Sequence, residues 1–256
     1  MKDGEVIMKL TKKFLIDLKE VPNSFYYALR IEFLFHSNKL EGSTFDRATL
    51  NQLADKEVVS GIHTLDDVIE TRNSLDVFDF IVETLDEPLS LQLIREYHQL
   101  LKNGTSDDKK GFSGRFKKIP NMLSGLDEIK LAEPHEVESL LSALIETYNN
   151  RKASSIDLNG LAKIHSAFEK IHPFQDGNGR IGRFILLKQC IENNIDLIAI
   201  DEKYNQEYKN ALYESQLNGN YDELVEIFKK CQEYIKSKEN IMFSSNEALK
   251  KLKHSK

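Results

Sequence analysis

Apolar side chains return every three or four positions along most of this chain, and almost nowhere do they alternate with polar ones. From Leu65 through Val68, Arg72, Leu75, Phe78, Ile81 and Leu85, steps of three and four keep one stripe largely apolar, with Asp66, Asp67, Glu70, Asp76 and Asp79 turned away from it. That period predicts an amphipathic helix covering a core. Ser90 is placed to cap a second helix carrying Leu93, Tyr97 and Leu100, and Pro134 to open a third through Val137, Leu140, Leu144 and Tyr148. A fourth runs from about Asp157 through Leu161, Ile164 and Phe168 to Ile171, where Pro173 stops it; further helices are expected over 180–192, 204–215 and 221–236. The predicted fold class is all-α.

One region departs from this period. Between Gly104 and Gly125 there are four glycines, and Phe112, Gly114 and Phe116 alternate, which favours a short β-hairpin held to an edge position by Pro120. No linker rich in Pro, Gly or Ser divides the 256 residues, and no internal repeat is visible. The reading is one large domain: an N-terminal helical region over 1–88, a core over 89–236, and a helical tail over 237–256 with a Lys-rich, frayed end. With 40% hydrophobic and 30% charged residues the chain is not disordered, and its net charge of -6 disfavours nucleic acid and anionic membranes as partners. Cys190 and Cys231 each sit in an apolar helical pattern and read as buried thiols in a reduced compartment. No secretory signal or stretch of about 18 apolar residues is present, so a soluble cytoplasmic protein is expected.

The chemistry concentrates in His172-Pro173-Phe174-Gln175-Asp176-Gly177-Asn178-Gly179-Arg180-Ile181-Gly182-Arg183, between two predicted helices. Gly177, Asn178 and Gly179 tolerate positive φ and can turn successive N–H groups around a concavity, to which the following helix adds its positive dipole end. Such a cradle suits phosphates. Arg180 and Arg183 fall on neighbouring positions of that helix's first turn, where two guanidinium forks can hold several phosphate oxygens. Asp176 is a hard oxygen ligand suited to Mg²⁺, and His172 supplies a group that titrates near neutrality.

Plainer alternatives exist. Gly177, Gly179 and Gly182 fit the dinucleotide fingerprint G-x-G-x-x-G, but a helix and a proline precede them where that motif needs a buried strand. A Gly-Asn turn with solvated arginines would account for any one residue, but not for so many complementary groups in one turn. His165, on the apolar face, reads as a hydrogen-bonded core histidine. Catalytic zinc has no ligand pattern here.

At these residues the chain resembles the Fic family, whose motif H-x-F-x-[D/E]-G-N-G-R-x-x-R is met at all eight specified positions by His172, Phe174, Asp176, Gly177, Asn178, Gly179, Arg180 and Arg183. The resemblance covers roughly Leu89 to Tyr234 and implies a Fic-type helical domain with a short β-hairpin flap. The activity it implies is transfer of AMP from ATP to a Ser, Thr or Tyr hydroxyl of a target protein. It further implies His172 as the base, Asp176 as the Mg²⁺ ligand, and Gly177, Asn178, Gly179 and Gly182 in the nucleotide site. Arg180 would then face the β-phosphate and Arg183 the γ-phosphate. Asn121, Met122, Leu123 and Ser124 would form the target-binding flap. Tyr208 is placed to line the adenine pocket, though helical spacing suits a core tyrosine nearly as well.

Ser37-Asn38-Lys39-Leu40-Glu41-Gly42 is similar to the family's inhibitory motif [S/T]-x-x-x-E-[G/N], on a helix of about residues 24–42. The resemblance implies that Glu41 pairs with Arg183 and denies it to the γ-phosphate; locally, the same residues fit a helix end with Gly42 at C′ and Glu41 exposed. Two other functions stay open: removal of AMP from a modified target at the same site, and nucleotide binding without catalysis. The target protein is not readable, self-modification is one outcome, and the N-terminal helices are available either to the core or to a homodimer interface.

Overall fold

The computed structural model describes residues 10–122, 128–152 and 156–245. These form helices α1 (Lys12–Lys19), α2 (Phe25–Leu40), α3 (Arg47–Lys56), α4 (Leu65–Glu83), α5 (Leu91–Lys102), the single turn α6 (Ser106–Lys109), α7 (Val137–Lys152), α8 (Leu158–Ile171), α9 (Asn178–Glu192), α10 (Asn205–Asn218) and α11 (Asp222–Ser245). No strand occurs among the described residues. The stretch 111–122 is an irregular loop, and the rest of the expected hairpin, with Leu123 and Ser124, lies outside the described residues.

Helix starts follow the side chains that can satisfy free N–H groups. Ser90 accepts from Leu93 N–H and Asp157 from Gly160 N–H, as the sequence predicts, while Thr11, Asp46 and Thr64 cap α1, α3 and α4 in the same way. Pro134 differs from expectation: it sits in the turn before α7, which begins at Val137. There Glu133 N–H donates to the Glu136 carboxylate, closing the turn that Pro134 was expected to start as helix. Helix α3 carries only Leu50 and Leu53 into the core, too little apolar pattern to be read from sequence.

Helix α9 is the centre of the molecule. It is buried from Arg180 to Ile191 without a break and packs on α2, α4, α5 and α8. A helix covered on every side is apolar all round, and the polar residues on α9 are therefore either paired or functional. Lys188 shows the first case, donating to Thr84 O and Leu85 O at the end of α4 and pairing with Glu192. Arg180 and Arg183 are paired too, with Glu70 of α4 and with Glu41 at the end of α2. Cys190 and Cys231 are both buried and free. No described helix is long and apolar enough to cross a membrane.

The polar face of α4 corrects the sequence reading. Asp66, Glu70 and Asp79, expected to face solvent, instead hold Ser106, Arg180 with Lys102, and Tyr26 with Arg30. Helix α4 packs against α2, α5 and α9, so its acids meet protein donors where a surface helix would meet water.

Candidate active site

Helix α8 ends on His172, which takes a left-handed conformation (φ 49) while its N–H still bonds to Phe168 O. Few non-glycine residues adopt that geometry without a surrounding structure that enforces it. Here the enforcement is visible. Asn178 accepts from Phe174 N–H at 2.7 Å and donates to Phe174 O at 2.9 Å, stapling the turn to the first residue of α9. Phe174 is fully buried and stacked on His98, ring centroids 3.8 Å apart. The loop before α7 joins in: Lys117 N–H donates to Pro173 O at 2.8 Å, and Asn121 donates to Phe174 O and Gln175 O. Asn121, expected in the flap, thus touches the motif directly, while Met122 is 91% exposed beside it.

The Glu169 carbonyl lies 3.3 Å from His172 Nδ1. A carbonyl can only accept, so Nδ1 carries the proton and Nε2 keeps its lone pair. Burial lowers the proton affinity of this imidazole below the ordinary histidine value, with the Glu169 carbonyl opposing. His172 is a neutral base at pH 7.

Gly177, with φ 80, precedes α9, and Asp176 and Arg180 on either side of that helix start line a cavity of about 300 Å³. Its walls include Asn38, Glu41, Glu70, Asp107, Asp176 and Arg180. Asp176 is 58% exposed in its side chain. Partial burial pushes its carboxyl up, but Lys102 and then Arg180 outweigh this and hold it at about 2. A half-exposed, ionised oxygen donor fits a hard divalent cation that keeps water and phosphate ligands; among the described residues no three His, Cys, Asp or Glu side chains form a metal site by themselves.

Both arginines are engaged. Arg183 donates through Nε to Ser37 Oγ at 3.0 Å, and through Nη2 to Ser37 O at 2.9 Å and to Glu41 Oε1 at 2.7 Å. Burial disfavours the Glu41 carboxylate, but Arg183 and Arg180 more than compensate and keep it ionised. Gly42 follows in the left-handed region (φ 85) and turns the chain away at the end of α2. Arg180 is bonded by Glu70. Gly179 and Gly182 leave no room for a side chain: a Cβ at the first would meet Glu41 and Arg183, and at the second the buried Glu169.

Tyr208 sits away from this cavity, buried between α8 and α10 with its hydroxyl 2.6 Å from His165 Nε2. His165 is the hydrogen-bonded core histidine that its spacing predicts. Four residues outside the motif were not read from sequence as part of the site: Glu70, His98, Lys102 and Glu169. His98 donates through Nε2 to Asp176 O and accepts Gly114 N–H at Nδ1, joining α5, the motif and the loop after α6.

His172, the Gly177 turn, Arg180 and Arg183 follow one another from the end of α8 into α9, and residues 88–190, which include them, match the Fic/DOC family. A probable protein adenylyltransferase of Aquifex aeolicus is 28% identical over 134 residues, 52% of this chain. The chain spans only 39% of that relative's length. Among solved structures, a Fic domain containing signalling protein from Bacteroides thetaiotaomicron aligns with TM-score 0.72 at 23% identity, covering 88% of each chain. Fic-1 (residues 134–508) from C. elegans aligns with TM-score 0.70 at 19% identity, covering 92% of this chain and 72% of its own. At these identities the likeness establishes the fold.

Proposed function

We propose that this chain is a self-inhibited protein AMP transferase, moving AMP from ATP to a Ser, Thr or Tyr hydroxyl of a target protein. The observation that carries the reading is the Arg183–Glu41 pair at the mouth of an anion-binding turn, one turn of helix from Arg180. A guanidinium buried there with one removable carboxylate is suited to a polyphosphate that competes for the same donors.

His172 takes the proton of the target hydroxyl at Nε2 as that oxygen bonds to the α-phosphorus, and the bond from the α-phosphorus to pyrophosphate breaks. The N–H groups of the Gly177 turn donate to the phosphoryl oxygens on which negative charge develops. Arg180 faces the β-phosphate and Arg183 the γ-phosphate once Glu41 and Glu70 release them. Asp176 would hold Mg²⁺, which when bound would supply neutralisation of phosphate charge. Asn121, fixed to the motif, and the residues after it receive the target segment. The name borne by the Aquifex relative and the family match support the transferase class.

The test is intact-mass analysis of the Glu41→Gly chain incubated with Mg-ATP and no other protein. A gain of one AMP that disappears when His172→Ala is added is expected. ATP bound by calorimetry without AMP transfer to the chain itself or to any protein in a cell extract would overturn the reading.

A further inference from the structure

Lys102 ends α5, and its side chain is only 1% exposed. Its ammonium donates to Glu70 Oε1 at 2.5 Å, to Asp107 Oδ2 at 3.2 Å and to Asp176 Oδ2. Three donors meet three carboxylates, one from α4, one from α6 and one from the motif turn. The stem passes beneath the anion cradle: a Cβ built on Gly177 would stand 3.2 Å from Lys102 Cε. Glu70 also holds Arg180, so one carboxylate ties together both cations that flank Asp176. Counted over Lys102, Arg180, Glu70, Asp107 and Asp176, one negative charge is left over. A polyphosphate therefore enters a pocket whose own acids oppose it, and the cation fixed under its floor decides how strongly.

We propose that Lys102 is a positioning residue of the polyphosphate site, the resident cation that orients the Asp176 carboxylate and lets the turn accept a nucleoside polyphosphate before any divalent ion is present. The inference rests on the reading that the Gly177 turn binds ATP. It follows from placement: the ammonium is buried and cannot leave, whereas a divalent ion comes and goes with solvent. With Lys102 in place the pocket keeps part of its affinity for polyphosphate in the absence of metal. Without it, Asp176, Glu70 and Asp107 repel the phosphates, and only an added divalent ion restores attraction.

The experiment measures ATP binding by calorimetry, in Mg²⁺ and in EDTA, on the chain carrying Glu41→Gly so that Arg183 is open. For Lys102→Met the affinity in EDTA is expected to fall at least tenfold while Mg²⁺ recovers most of it, so that the ratio between the two conditions widens. Lys102→Arg, which keeps the charge, is expected to hold the ratio near that of the parent. Should Lys102→Met fail to fold, Asp107→Asn removes one opposing carboxylate without touching the turn, and is expected to raise the affinity in EDTA several-fold. Equal losses under both conditions, or no change in Asp107→Asn, would overturn the role of Lys102 while leaving the AMP-transfer reading intact. Absence of ATP binding in the parent itself would overturn that reading and this inference with it.

Discussion

Glu41 and Arg183 are 142 positions apart in sequence and 2.7 Å apart in space. The contact exists because α2 ends against the first turns of α9, with Ser37 one helical turn before Glu41 supplying two further acceptors to the same guanidinium. The two contributions should be separable. Ser37→Ala removes one neutral acceptor and leaves the ion pair, so basal AMP transfer is expected to rise only about two- to tenfold; Glu41→Gly removes the charge and is expected to raise it by ten- to a hundredfold. Initial rates with labelled ATP give the order. Equal effects of the two variants would place the control elsewhere than in the Arg183 pairing.

Beneath Arg183, Glu169 lies fully buried on α8, and burial pushes its carboxyl up to about 7, with Arg183 opposing and Glu41 adding to the rise. Removing Glu41 deprives Arg183 of its carboxylate and Glu169 of a neighbouring negative charge. Both changes favour ionisation of Glu169. The expected outcome is a lower Glu169 pKa in Glu41→Gly, read from the ¹³C shift of its side-chain carboxyl across a pH titration.

Gly182 and Glu169 form a size-matched pair. A methyl at Gly182 runs into the Glu169 carboxylate and comes within 3.1 Å of Phe168. Gly182→Ala is expected to destabilise the protein by about 1–3 kcal/mol. Glu169→Ala opens the space, so the double variant should recover a large part of that loss, a coupling that denaturant unfolding of the four proteins in the cycle measures.

His98 makes the structure sensitive to acid. Burial lowers it from 6.5 to about 4, with the Asp176 carbonyl opposing, and its Nδ1 must stay unprotonated to accept Gly114 N–H. The unfolded chain binds a proton at this residue near pH 6.5 and the folded one only near 4. Its contribution is therefore complete above 6.5 and is lost on the way down to 4, by about 1.4 kcal/mol per pH unit. Glu169 slopes the other way, since the fold keeps its proton up to about 7 while the unfolded chain loses it near 4.5. Comparing wild type with His98→Gln cancels that opposing slope. The variant is expected to show a flatter fall in stability between pH 6.5 and 4, and in wild type the His98 imidazole nitrogens should keep the neutral Nε2–H pattern at pH 5.5.

The motif was legible because its residues are contiguous: the turn, the caps and the helix dipole are local physics, readable from His172 to Arg183 alone. The α-helical class was legible for the same reason, since a period of three to four is a property of neighbours in sequence. Glu41 could be found only through a resemblance, because nothing between residues 41 and 183 marks them as adjacent. Glu70 and Lys102 show the limit more sharply. On a helical wheel Glu70 belongs to the solvent face of α4 and Lys102 is a basic residue ending α5, where it suits the dipole; only the packing of α4 against both α2 and α9 turns these two toward each other and toward Asp176. Charged residues that a single helix would expose become a network when a second layer covers them.

The same covering explains how the end of α2 that carries Ser37 and Glu41 is kept in place. In its middle, Glu32 is buried and accepts from Arg47 of α3 and Tyr234 of α11. Glu202 N–H donates to His36 Nδ1, so His36 carries its proton on Nε2 and gives it to Glu32 as well. Burial disfavours the Glu32 carboxylate, but His36, Arg47 and Tyr234 together keep it ionised far below the usual range. Glu32, about one and a half turns before Ser37, thus anchors α2 to α3 and α11, and His36 ties it to Glu202. Arg47 is partly exposed and can turn to water, so Glu32→Ala is expected to cost about 1–3 kcal/mol, lowering Tm by roughly 2–10 °C. Because the anchored segment carries Ser37 and Glu41, loosening it should also raise basal AMP transfer, although both residues are intact. Differential scanning fluorimetry and labelled-ATP rates on the same preparation test the two effects together; a lowered Tm with unchanged transfer would show that the end of α2 is held by Arg183 alone.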